Sequence, residues 1–164
     1  MSRVISVIIT VIAIIACNLQ TEAQKASKSA LAPFSASTLI ERDGEYVVFS
    51  NRCQTNLKKA GFTHNYTREV QLHDVDDEYE DILVNSIEKT YAKGGIIVRL
   101  YYMPVDPDTP CSIEIDFPDY SSKNRFLNSL TRLGFTGSGD AYLAIPAGMC
   151  IQSEGNQVFI GYLL

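Results

Sequence analysis

Histidine is scarce in this chain, basic residues are outnumbered, and no apolar run is long enough to cross a bilayer. The only two histidines are His64 and His73. With Cys53 they match no familiar structural zinc spacing, and a helical His-Glu-x-x-His pair is absent. There is no Gly-x-Ser-x-Gly elbow either, and no nucleophile stands beside an obvious base. Fourteen Lys and Arg against nineteen Asp and Glu give a net charge of −5. Without a basic stripe, nucleic acid is a poor partner. The longest apolar stretch, residues 4–16, falls short of the roughly 20 residues a spanning helix needs.

That stretch is informative as an address. Arg3 precedes it and the polar run 18–24 follows, the basic, apolar and polar order of a signal peptide. Two cleavage points compete. Ile14-Ile15-Ala16-Cys17 resembles a bacterial lipoprotein signal, in which cleavage after residue 16 leaves a lipidated Cys17 as the first residue. Thr21-Glu22-Ala23 offers the small residues of an ordinary signal, making 1–23 the leader and Gln24 the first residue. Each buried CH₂ of an acyl chain contributes about 0.8 kcal/mol, so several chains would hold the protein at a membrane surface without embedding it. Residues 24–37, rich in Ala, Ser and Lys, read as a flexible stalk, leaving 38–164 as a single domain with room for a core.

If Cys17 carries lipid, Cys53, Cys111 and Cys150 remain, an odd number. Cys111 and Cys150, each opening an expected strand, are the expected disulfide, and Cys53 is left as a buried thiol.

Residues 45–49 are β-branched and aromatic enough for a strand, and a short helix is expected over 53–60, stopped by Gly61. A strand follows at 67–73. The three- and four-residue recurrence of Tyr79, Ile82, Leu83, Ser86, Ile87, Thr90 and Tyr91 predicts the longest helix, 77–93. Asp77 and Glu80 would cap it reciprocally and Gly94-Gly95 would end it.

Strands are expected at 96–102 and 112–117, separated by the proline-rich turn 104–110 and paired so that Arg99 meets Glu114 or Asp116. A helix carrying Phe126, Leu127, Leu130 and Leu133 and closed by Gly134 comes next, then strands at 141–145 and 158–164. The sum is an α+β domain: an antiparallel or mixed sheet with two main helices on one face.

"LKKAGFT" (57–63) echoes "LTRLGFT" (130–136), and each follows a strand ending in Phe and a helix. Two β-α-β units, ferredoxin-like or related, would explain the echo. The unit resembles the peptidoglycan-binding SPOR domain, although the Gly-Ser-Phe turn usual there is Phe49-Ser50-Asn51 here.

In the ionisable run 73–81, Asp74, Asp76 and Glu78 alternate as calcium ligands can, but the run lacks the glycine and distant glutamate of an EF-hand, and acids in a helix's first turn need no metal. No cofactor is called for. Tyr101, Tyr102 and Met103 beside the proline turn are the candidate contact surface. The sequence points to a non-enzymatic binding or interaction module of the bacterial envelope, partnered by another envelope protein or a wall component. The alternatives are a peptidoglycan-binding domain, or a small enzyme using His64, His73 and the acidic cluster.

Overall fold

The computed structural model describes residues 34–75, 81–138, 141–144 and 148–162. The expected leader, Cys17, most of the stalk and the caps at Asp77 and Glu80 lie outside them. Among the described residues no helix is long and apolar enough to cross a membrane.

The chain is mostly β, which overturns the expected α+β fold of two main helices on a sheet. A hairpin of β1 (Ile40–Asp43) and β2 (Tyr46–Phe49) precedes α1 (Cys53–Lys59). Then come β3 (Thr63–Val75), β4 (Asp81–Lys93), β5 (Ile96–Tyr102) and β6 (Ser112–Asp116). The helix α2 (Tyr120–Leu130) leads to β7 (Thr136–Ser138), β8 (Ala141–Ala144), β9 (Met149–Glu154) and β10 (Gln157–Tyr162). The sheet order is β3-β4-β5-β6-β10-β9-β8-β7, and every neighbouring pair is antiparallel. The sheet is two four-stranded meanders, each entered from a helix, joined where β6 meets β10.

This arrangement excludes β-α-β units, because each strand after a helix runs to an outer edge of an antiparallel sheet. The sequence echo has a different cause. In both helix exits a Leu carbonyl accepts from the Phe five residues on, Leu57 from Phe62 at 2.9 Å and Leu130 from Phe135 at 3.3 Å. The Gly between them sits at φ 86° (Gly61) or 90° (Gly134), where a side chain would be strained. The repeated segment is therefore a helix-stopping device that launches an edge strand.

The expected helix over 77–93 is the largest correction. Its described part, 81–93, is β4, paired to β3 from Thr63↔Ala92 to Val75↔Asp81 and to β5 from Lys93↔Ile96 to Ile87↔Tyr102. A half-buried strand betrays itself by alternation, but here Ser86, Glu88 and Thr90 are as buried as Tyr91 on the other face. With polar side chains inside on one face and Lys89 half-buried on the other, the period of two vanishes and a spurious helical period remains.

One face of the sheet builds the core. Val98 and Leu100 of β5, Ile113 and Ile115 of β6, Met149 and Ile151 of β9 and Val158 and Ile160 of β10 meet Leu57 of α1 and Phe126, Leu127 and Leu130 of α2. Asp119 caps α2, its Oδ1 accepting from the Ser122 amide at 2.7 Å and satisfying one of the free amides of the first turn. The packed unit begins at Phe34, inside the expected stalk. Phe34 lies 4.9 Å from the Phe62 ring and 5.2 Å from Phe126, and Ala36 behind it is buried.

Candidate functional site

The opposite face of the sheet is polar and concave. Strand pleating sends the residues between the core positions to this side, and the register lines them up across the sheet. One row runs Thr90, Arg99, Glu114, Phe159, Gln152 over β4, β5, β6, β10 and β9. The adjacent row contains Arg68, Glu88, Tyr101, Ser112, Gly161 and Cys150.

Between these rows lies a cleft of ≈ 360 Å³, walled by Tyr101, Glu114, Phe159, Gln152, Cys150 and, from β3, Leu72. The β4–β5 pairing stops at Ile87↔Tyr102, whereas β3 and β4 stay paired for six further residues. The overhang is a two-stranded ribbon. Leu72 stands on it yet lines the same cleft as β9 and β10, so the ribbon bends over the open face.

The ionisable groups of this face are tied to one another. Arg99 holds Glu114 Oε1 through Nη1 at 2.9 Å and Asp116 Oδ2 through Nη2 at 2.7 Å. The Tyr101 hydroxyl donates to the second Glu114 oxygen at 3.0 Å, and Gln157 donates to the second Asp116 oxygen at 2.8 Å. Burial pushes the Asp116 carboxyl up, but hydrogen bonds from Arg99 and Gln157 outweigh it and hold the group below the usual aspartate range. Burial, then the nearby Glu114 charge, raise the Tyr101 hydroxyl well above its ordinary value, so it stays a neutral donor.

A second knot lies towards β3. Glu88 is 1 % exposed at its side chain; Arg68 grips its Oε2 at 2.7 and 2.9 Å, and Thr90 donates to Oε1 at 2.8 Å. Burial alone would raise this carboxyl; the bonds from Arg68, Thr90 and Tyr66 together leave it lowered. With both oxygens of Glu114 and Glu88 occupied, neither carboxylate is poised to take a proton from a ligand. The face can bind a group through its aromatic and apolar walls and orient it with Gln152 and the Glu114 edge.

The residues singled out from the sequence are scattered. Tyr101 lines the cleft, but Tyr102 points into the core at 1 % exposure, and Met103 bridges to Asp106 in the proline turn. A joint surface of the three does not form, since adjacent strand residues face opposite ways.

Cys111 and Cys150 are not joined. The strand β10 lies between β6, which begins after Cys111, and β9, which carries Cys150. Two strand spacings are about 10 Å, beyond the roughly 7 Å Cα reach of a disulfide. The Cys111 thiol donates to the Tyr101 carbonyl at 3.3 Å, and Cys150 lines the cleft. Cys53 is buried, its Sγ 2.9 Å from the Leu39 carbonyl oxygen, and desolvation pushes its pKa up to about 12.

His64 and His73 occupy one strand nine residues apart, about 30 Å of extended chain, so they cannot share a catalytic centre. His64 bonds Thr67 Oγ1 at 2.9 Å and packs edge-on against Tyr91. Among the described residues no group of His, Cys, Asp and Glu is arranged to hold a metal ion.

Glu88, Phe159 and Gln152 carry this face and went unmarked in the sequence. Their signal was weak, because β10 separates β6 from β9 and no sequence spacing shows which strand inserts between two others. Compared with protein-family models, with curated proteins and with solved structures, the chain matches none.

Proposed function

We propose that this chain is an exported, lipid-anchored, non-enzymatic binding module of the bacterial cell envelope, and that the open-face cleft is where it holds its partner. One observation carries the binding part: a cleft with aromatic and apolar walls, Tyr101, Phe159 and Leu72, and a polar edge whose carboxylate is already satisfied. Such a site gains affinity from buried apolar area and orientation from a few fixed polar atoms. The N-terminal run ending at Cys17 supports the address.

The occupant is a mainly apolar group with one hydrogen-bonding edge, presented by an envelope protein or by the wall. The test is capture from the host's envelope fraction and on purified peptidoglycan, comparing the wild-type chain with Phe159→Asp. Phe159 is 38 % exposed, so the substitution charges the cleft without emptying the core. A protein or wall fragment retained by the wild type and lost with Phe159→Asp supports the reading. Equal retention by both overturns it. An intact mass of the matured chain then decides between acylated Cys17 and unmodified Gln24 as first residue.

A further inference from the structure

We infer that this protein forms a symmetric dimer by pairing β3 with β3 of a second copy, in the register centred on Gln71. The strand is thirteen residues long and lies at the end of the sheet order, with β4 as its one strand neighbour among the described residues. Its outer row of amide and carbonyl groups is a template for another strand. The opposite edge of the sheet, β7, has three residues and offers far less. From Val70↔Ser86 onward, moreover, β3 and β4 form a ribbon with no third strand among the described residues, and a two-stranded ribbon is marginal in water.

The sequence of the strand selects its own copy as the occupant. An antiparallel pair about a two-fold axis at Gln71 sets residue 70 opposite 72, 69 opposite 73 and 68 opposite 74. In register Val70 is then paired with Leu72, Glu69 with His73 and Arg68 with Asp74, each pair occurring twice. No neighbouring register does this. Moving the axis one residue back sets Arg68 against Leu72, and one residue forward sets Val70 against Asp74. Arg68 has capacity for the contact: it is 58 % exposed at its side chain and holds Glu88 through Nε and Nη2, leaving Nη1. The bulge between His64 and Tyr66 ends the regular stretch at its other side and confines the pairing to residues 67–75. A partner strand without an acid and a base at these positions would satisfy the backbone but forgo the match of Glu69 to His73 and of Arg68 to Asp74.

The test uses the matured full chain. Sedimentation equilibrium is expected to show a monomer–dimer equilibrium. His73→Glu, which sets two carboxylates against Glu69, should weaken association at least tenfold, and Glu69→Lys/His73→Glu, which restores opposite charges, should recover it. In this register position 71 faces itself at about 5 Å, within disulfide reach, whereas position 69 stands far from its own copy. Under mild oxidation Gln71→Cys is therefore expected to give a covalent dimer and Glu69→Cys a monomer. Circular dichroism and the melting temperature verify that each variant is folded. A wild type that stays monomeric at several hundred micromolar overturns the proposal. So does a dimer that His73→Glu leaves unchanged, or one cross-linked equally well from positions 69 and 71.

Discussion

Phe34→Ala tests where the folded unit starts. By composition Phe34 belongs to a stalk and its ring should be expendable; in the structure it leans on Phe62 and Phe126 with centroids 4.9 and 5.2 Å away, and on Phe117 at 6.3 Å. Truncating a fully buried Phe to Ala costs about 3–5 kcal/mol. Phe34 is half-buried, so the expected loss is about 2 kcal/mol, of which the two close ring pairs supply roughly half. Phe34→Leu keeps most of the apolar area and loses the ring pairs, so it should cost about 1 kcal/mol.

Urea unfolding followed by circular dichroism measures both, and a thermal melt should show Phe34→Ala about 7 °C below the wild type. Tyr46→Ala, which removes a ring that is 56 % exposed, is the control and should stay within about 0.5 kcal/mol. A Phe34→Ala change no larger than that control would refute the reasoning and return Phe34 to the stalk.

Arg99→Met strands Glu114 and Asp116; with all three side chains 21–25 % exposed, the cost at pH 7 falls between a surface and a buried pair, about 2 kcal/mol. Asp116 is held below its ordinary value, so the stability it contributes is full above the unfolded aspartate range and is lost as pH falls through its lower folded pKa. The gap between wild type and Arg99→Met in urea midpoints should therefore narrow from pH 6 to pH 3; a constant gap would mean that packing, not charge, is what Arg99 supplies. Tyr102→Phe should be neutral or stabilising by up to about 1 kcal/mol, because the buried hydroxyl, beside Gln54, makes no well-formed hydrogen bond among the described residues. A loss above that figure by the same unfolding assay would reveal a partner for it. Cys53, with its thiol pushed up to about 12, should resist iodoacetamide at pH 8 in the folded chain and react only on unfolding; mass mapping that finds it alkylated as fast as Cys150 would contradict its burial.

What could be read from the sequence follows from how each strand is covered. The β5–β6 hairpin was legible because its core face is purely apolar, its other face is polar, and prolines mark the turn; the Arg99 contacts with Glu114 and Asp116 came with that register. The helix α2 was legible from Phe126, Leu127 and Leu130 at helical spacing. The strand β4 was lost because Glu88 and Thr90 are buried, Glu88 held by Arg68 and by Thr90 itself, a polar interior that no hydropathy pattern encodes. The strand β9 was marked only at its start, by Cys150: further along, Ser153 is buried where an apolar residue is expected, and it receives the Lys123 ammonium at 3.0 Å. The cleft depends on long-range strand order, and there local pattern is silent.

The placement of β10 at the middle of the sheet has a kinetic consequence. It is the final described strand along the chain, yet both β6 and β9 pair with it. As the chain emerges N-terminus first, the first meander can assemble early, but its β6 edge stays open until residues 157–162 follow, and the second meander has no seat until the same moment. Pairings of such sequence separation are slow to form and leave apolar surface exposed meanwhile. A chain halted before residue 157 emerges would therefore display an unfinished, adhesive half-sheet, and a chain clipped there would lose the seam of the whole domain rather than one edge.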